Sequence, residues 1–222
     1  MTKQRWSSAL GVALLVGAPF MASAEPPRES AAPFYVGAKL GPGPVTWSGA
    51  DANRESFTTT RKLGYSIAAF ASVDLSRLVA LDDGPLKLGL QPEISYAARG
   101  ASFDIGVVQG SYDLRYLAVA LAPRLSYSAG SLAPYVLAGP EVGFLFRGDI
   151  VDGAGNVTDI KDDFTSTDLG LVLGLGTDVP VASRGALVLE LRATLSLRSI
   201  DGQGDGDDIK NQGFFFMLGY RY

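Results

Sequence analysis

The sequence predicts an all-β fold: an eight-stranded antiparallel up-and-down transmembrane β-barrel with short periplasmic turns and long extracellular loops. Three observations carry this reading. Eight segments alternate apolar side chains with small or polar ones, a period of two that puts each set on its own face of a strand. The connectors between those segments alternate long and short. The chain also opens on an export leader and closes on an aromatic residue.

The leader is "MTKQRWSSALGVALLVGAPFMASAE", with Lys3 and Arg5, an apolar stretch from Ala9 to Phe20, and the small-x-small site Ala22-Ser23-Ala24. This is the layout of a secretory signal cleaved after Ala24, and the stretch is too short to span a bilayer as a helix. The expected organisation is a signal peptide over 1–24, a periplasmic leader over 25–33 and a barrel over 34–222.

In the first strand, "FYVGAKLG", Val36, Ala38 and Leu40 alternate with Gly37 and Lys39. The second, "KLGYSIAAFASVD", sets Leu63, Tyr65, Ile67, Ala69, Ala71 and Val73 against Gly64, Ser66, Ala68, Phe70, Ser72 and Asp74. The third, "LKLGLQPEISY", sets Leu86, Leu88, Leu90, Pro92, Ile94 and Tyr96 against Lys87, Gly89, Gln91, Glu93 and Ser95. The fourth and fifth are "YLAVALAPRLSY" and "PYVLAGPEVGFLFR", with Arg124, Glu141 and Arg147 on the less apolar parity. The sixth and seventh are "DLGLVLGLGTDV" and "LVLELRATLSLRS", with Asp168, Asp178, Glu190, Arg192 and Arg198 on that parity. The eighth, "NQGFFFMLGYRY", places Phe214, Phe216, Leu218, Tyr220 and Tyr222 on one face and Arg221 on the other. Alternation over segments of about ten residues matches the transmembrane β-strand length.

Long connectors follow strands one, three, five and seven; short ones, "SAGSLA" and "PVASRGA", follow strands four and six, and "LSRLVALDDGP" after strand two is intermediate. Short turns belong on the periplasmic side. A soluble, lipocalin-like barrel would turn the apolar parity inward. Side-chain size decides against it, because the other parity is rich in Gly, Ala and Ser with single charges, which suits a narrow lumen better than a water-facing surface. Trp47, Tyr65, Tyr96, Tyr127 and Tyr135 fall near strand ends, where interface aromatics belong.

"LKLGLQPEISYAARGA", "YLAVALAPRLSY" with "PYVLAGPEVGFLF", and "NQGFFFMLGYRY" resemble the bacterial outer-membrane β-barrel domain family (PorT-like), whose small barrels are similar to the OmpA membrane domain. The resemblance covers nearly all of Phe34 to Tyr222 and implies a cell outer membrane location in Gram-negative bacteria. It also implies that the aromatic C-terminal face, Phe214, Phe216, Leu218, Tyr220 and Tyr222, is the signal read by the barrel-assembly machinery. It carries no catalytic motif.

The chain contains neither His nor Cys, which removes the common nucleophilic triads, the usual zinc sites and any disulfide. No enzyme activity and no cofactor are expected. The formal net charge is −4 and becomes two units more negative once Lys3 and Arg5 leave, so nucleic acid is not an expected partner. The inward charges Lys39, Lys87, Glu93, Arg124, Glu141, Arg147, Glu190, Arg192, Arg198 and Arg221 should interlock, since unpaired charge inside a narrow barrel is costly. Glu141 and Glu190 are expected to meet Arg124, Arg147, Arg192 or Arg221. The acidic "DGQGDGDD" offers Asp201, Asp205, Asp207 and Asp208 as hard oxygen donors of the kind calcium takes, without the closing Glu of an EF-hand. The expected function is that of a monomeric outer-membrane barrel acting as a structural or interaction module. Its loops would meet extracellular ligands, and its wall outer-membrane lipid and lipopolysaccharide. The alternative is a narrow porin or small-ligand carrier.

Overall fold

The computed structural model describes residues 34–54, 57–81, 84–105, 108–182, 185–202 and 208–222; the signal peptide and the leader expected over 1–33 lie outside the described residues. In chain order the strands are β1 (Phe34–Ser48), β2 (Asn53–Arg54), β3 (Phe57–Thr60), β4 (Lys62–Asp74), β5 (Leu86–Arg99) and β6 (Ser102–Ile105). There follow β7 (Val108–Tyr127), β8 (Ala133–Asp152), β9 (Val157–Asp159), β10 (Thr167–Ala182), β11 (Gly185–Ser196) and β12 (Lys210–Arg221). Eight of these, β1, β4, β5, β7, β8, β10, β11 and β12, pair in that order into a closed antiparallel ring, which β12 completes by pairing with β1. The short strands β2, β3, β6 and β9 extend the wall beyond the ring at the long-loop end.

Alternation is legible in the burial of each stave. Leu40, Ile67, Ile94, Leu121, Val136, Leu175, Leu191 and Phe216 stand exposed on the outer face, while Lys39, Ala68, Glu93, Ala122, Leu137, Glu190 and Met217 are buried inside. Apart from the β1–β12 pairing at Pro42 and Pro44, the closed ring holds the backbone of the wall inside the ladder, the condition for a sheet to sit in hydrocarbon. The outer face is a continuous apolar band, so the wide surface of Leu, Val, Ile and Phe is itself the membrane contact.

The ends differ as the connectors predict. At the short-turn end β7 and β8 are joined by residues 128–132, where Gly130 takes φ +62°. The intermediate connector is a 3₁₀ turn over Ser76–Val79, opened by the Asp74 carboxylate accepting the Ser76 N–H at 2.7 Å. At the long-loop end the lumen is capped by an apolar cluster of Trp47, Ala52, Ala101, Leu114, Tyr116, Leu145 and Ile200, with Phe164 and Ile209 packed against it.

One irregularity breaks the parity. In β8, Arg147 pairs with Arg115 of β7 but Leu145 pairs with Tyr116, so Phe146 is an extra residue, a β-bulge. Phe146 and Arg147 therefore both point outward, and Gly148, paired with the buried Leu114, returns to the inside. A bulge does this because it inserts one residue against none on the partner strand and resets the pleat beyond it.

Candidate functional site

The most built region of the molecule is its lumen, where inward side chains of all eight staves meet in three connected tiers. The middle tier is a closed quartet. Lys39 Nζ lies 2.8 Å from Glu190 and 3.0 Å from Glu93. Arg192 grips Glu93 with both terminal nitrogens, Nη2 at 2.8 Å, and donates Nε to Glu190 at 2.8 Å. Two carboxylates thus alternate with two cations, all four side chains within 3% of full burial. β5 and β11 stand opposite each other in the ring, so the Glu93–Arg192 pair crosses the full width of the lumen. The Tyr135 hydroxyl also donates to Glu190 at 2.8 Å.

Toward the long loops, Arg99 donates to Glu141 and, at 3.2 Å, to Asp168. Asp168 also accepts from the Ser196 hydroxyl at 2.7 Å and from the Asn211 amide at 3.1 Å. Asn211 in turn accepts the Trp47 indole N–H at 3.2 Å. Toward the short turns, Arg124 and Arg221 share Asp178, at 2.7 and 2.8 Å. Arg124 also donates to the Tyr35 hydroxyl at 2.6 Å and lies over the Tyr135 ring, 3.6 Å from its centroid. Gln91 joins this tier to the middle one, accepting from Arg124 and donating to Glu93. Across the tiers five cations, Lys39, Arg99, Arg124, Arg192 and Arg221, face five carboxylates, Glu93, Glu141, Asp168, Asp178 and Glu190. This balance is what a low-dielectric interior demands of buried charge.

The structure brings together Lys39, Glu93, Arg124, Glu141, Glu190, Arg192 and Arg221 of the sequence-derived set. It separates three others. Arg147 is turned to the outer face by the bulge and binds Asp149 at 2.6 Å, correcting the expectation that it points inward. Arg198 lies past the end of β11, where the alternation no longer holds, and is exposed. Lys87 is half-buried near the short-turn end of β5. Glu141 meets none of the four arginines proposed for it; its partner is Arg99. Arg99 was missed because the third strand was ended at Tyr96, although it continues the inward parity of Gln91, Glu93 and Ser95. Trp47 and Tyr135, read as interface aromatics, are buried inside the barrel; Tyr65, Tyr96 and Tyr127 do face outward.

Phe214, Phe216, Leu218, Tyr220 and Tyr222 all stand exposed on the outer face at the end of the chain. Of the acidic-loop residues, Asp205 and Asp207 lie outside the described residues. Asp208 is committed to loop-to-loop contacts: its carboxylate accepts from Lys210 at 2.7 Å and from the Ala50 N–H at 3.3 Å. Those bonds, with that from Lys210 first, hold the Asp208 carboxyl below the usual aspartate range. Among the described residues no cluster of three acidic side chains is placed to hold a metal ion.

The family described as "Outer membrane protein beta-barrel domain" matches residues 10–222 of the chain. Similar solved structures include Neisserial surface protein A (14% identity, 87% of this chain and 98% of that one, TM-score 0.49). Ail, the attachment invasion locus protein of Yersinia pestis, is also similar (14%, 85% and 98%, TM-score 0.43). So is the outer membrane protein OprG from Pseudomonas aeruginosa (12%, 85% and 95%, TM-score 0.48). No curated protein matches the chain.

Proposed function

The chain belongs to the outer membrane protein β-barrel domain family, and from that premise we propose that it is a closed barrel that works through its extracellular face. The loops form a structural or interaction module, and the lumen serves as its internal framework. The observation that carries this reading is the Glu93–Arg192 pair, which joins opposite walls at mid-height with both side chains almost fully buried. Eight strands enclose little more than the room side chains need, and here that room is filled by ion pairs. The apolar cap of Trp47, Phe164 and Ile200 closes the extracellular mouth above them. The absence of His and Cys supports a non-enzymatic role.

The refolded protein in planar bilayers should show no stable conductance steps under symmetric salt. Steady unitary currents from the wild-type protein would replace this reading with that of a narrow pore.

The exposed aromatic face of β12 is the proposed signal for the barrel-assembly machinery, and the protein inserts as a monomer. Deleting Tyr222 should leave export to the periplasm intact while the protein fails to reach the outer-membrane fraction. Normal insertion of the truncated chain would show the terminal aromatic to be incidental.

A further inference from the structure

The bulge that removes Arg147 from the lumen creates a second feature on the outside of the barrel. Arg147 of β8 stands directly opposite Arg115 of β7 in the ladder. Like charges at such a cross-strand position repel and destabilise the sheet. Asp149, on the same face, offsets part of this charge: it pairs with Arg147 and attracts Arg115. Arg147 donates only Nε, to Asp149. Asp113, the nearest carboxylate on β7, is engaged by Lys62. Arg115 has no carboxylate within ion-pair distance among the described residues. Its Nη1 donates to the hydroxyls of Tyr65, at 2.9 Å, and Tyr96, at 3.3 Å, while its Nε is buried without a partner.

Below the two arginines runs an aromatic row. The Tyr65 and Tyr96 rings are 5.9 Å apart, and Tyr96 and Phe146 are 5.5 Å apart. Beneath that row lie the exposed apolar residues Ile67, Ile94, Leu117 and Phe144. The cationic pair therefore sits at the extracellular border of the apolar band, at the depth of the headgroups of the outer leaflet. The Tyr65 hydroxyl also bonds to that of Tyr96, and because Arg115 supplies the donor in its own bonds to both phenols, the Tyr96 hydroxyl keeps its proton for another acceptor.

We propose that Arg115 and Arg147, with the Tyr96 hydroxyl, clasp a phosphate of a phosphorylated glycolipid in the outer leaflet. The acyl chains of that lipid lie on Ile94, Leu117 and Phe144. Guanidinium forks match phosphate oxygens in geometry as well as charge, and a dianionic group between the two arginines turns their repulsion into shared attraction. A soluble acidic protein fits the site less well, because the arginines stand on the barrel wall at the membrane border, below the loops.

The test is native mass spectrometry of the refolded full-length barrel after exchange into micelles containing bis-phosphorylated lipid A. Parallel arms use the same lipid stripped of its phosphates, and bis-phosphorylated lipid A with millimolar inorganic phosphate or an acidic polypeptide as competitor. Wild type should retain bis-phosphorylated lipid A at least about tenfold better than Arg115→Gln/Arg147→Gln. It should discriminate similarly against the dephosphorylated lipid and be indifferent to inorganic phosphate. Arg198→Gln, which removes an exposed arginine elsewhere at the same end, should retain lipid like wild type, and the heat-modifiable gel shift confirms that each variant is folded. Equal retention by the double variant, or equal binding of the dephosphorylated lipid, overturns the proposal. Displacement by millimolar phosphate overturns the lipid assignment in favour of a free anion, and selective loss with an acidic polypeptide competitor overturns it in favour of a protein.

Discussion

Glu93→Ala should lower the unfolding stability of the refolded barrel by about 3–5 kcal/mol, the cost of removing one partner from a buried ion pair. Glu93 is the side chain through which two cations from two different strands meet: Lys39 at 3.0 Å and both terminal nitrogens of Arg192. Truncation leaves Glu190 alone to neutralise both. No solvent stands ready to replace the lost carboxylate, since Lys39, Arg192 and Glu190 are essentially inaccessible. Glu93→Gln should fall between the variant and wild type, because it keeps the shape and one acceptor oxygen but neither the charge nor the second acceptor. Leu121→Ala, on the outer face, should cost less than Glu93→Ala, since lipid fills the space the side chain leaves. The measurement is the urea midpoint of each refolded variant, with the gel shift as the folding check. If Glu93→Ala unfolds at the wild-type midpoint, the lumen charges are solvated and the framework reading of the interior fails with them.

The same calculus explains why such a lumen persists. Buried ion pairs are weak evidence of net stability, since apolar replacements of matching volume often do as well. Their use here is in register. A one-residue slip of any stave would carry its charge from the lumen to the lipid, where it is opposed by several kcal/mol at the bilayer centre. Glu93, Glu190 and Arg192 therefore oppose a one-residue slip of β5 or β11.

How much of this was legible beforehand depended on whether the pleat stayed regular. Within β1, β4, β5 as far as Tyr96, β10 as far as Pro180, and β11 the period of two runs unbroken, and side-chain direction follows from counting alone. Lys39, Glu93, Glu190 and Arg192 came out on the right face for that reason. Three kinds of information were missing. Strand ends carry no pattern of their own: Arg99 continued the parity of β5, but the Gly100 that follows it reads as a loop. The bulge at Phe146 is a second case, since "GFLFR" gives no sign that an extra residue interrupts the ladder and turns Arg147 outward. Contacts across the lumen were a third, because period two assigns a face and no partner. That Glu141 meets Arg99 rather than Arg124 depends on the stagger of strands around the ring, which the closed fold alone determines.

The closing seam offers the other large effect: Gly41→Ala should disrupt barrel closure, and Gly41→Val with Gly43→Val should abolish it. β1 and β12 are joined at one end by paired bonds between Val36 and Tyr222, at 3.1 and 2.8 Å. The register runs without a shift from there to Ser48, so the even-numbered residues of β1 address β12. Two of these are Pro42 and Pro44, which have no N–H to give, and the paired register is interrupted between Leu40 and Val45. The carbonyls of Phe214 and Phe216, which those donors would have met, press instead against Gly43 and Gly41. A Cβ at Gly41 would strike the Phe216 carbonyl and approach Met217 Cα to 2.9 Å; one at Gly43 would strike the Phe214 carbonyl and approach Phe215 Cα to 2.7 Å. The obstacle is backbone in each case, so no side chain can rotate away. Parting the strands would expose those carbonyls to hydrocarbon, where no water satisfies them. The cost of Gly41→Ala should thus reach the upper end of overpacking penalties, about 3 kcal/mol. Gly84→Ala, in the intermediate connector with its nearest neighbour 3.9 Å away, serves as the matched control. The yield of the heat-modifiable folded band after refolding into vesicles decides the matter. If Gly41→Ala closes as efficiently as Gly84→Ala, the two strands have slack at the seam, and the close approach of Gly41 and Gly43 is not what lets a proline-broken ladder shut.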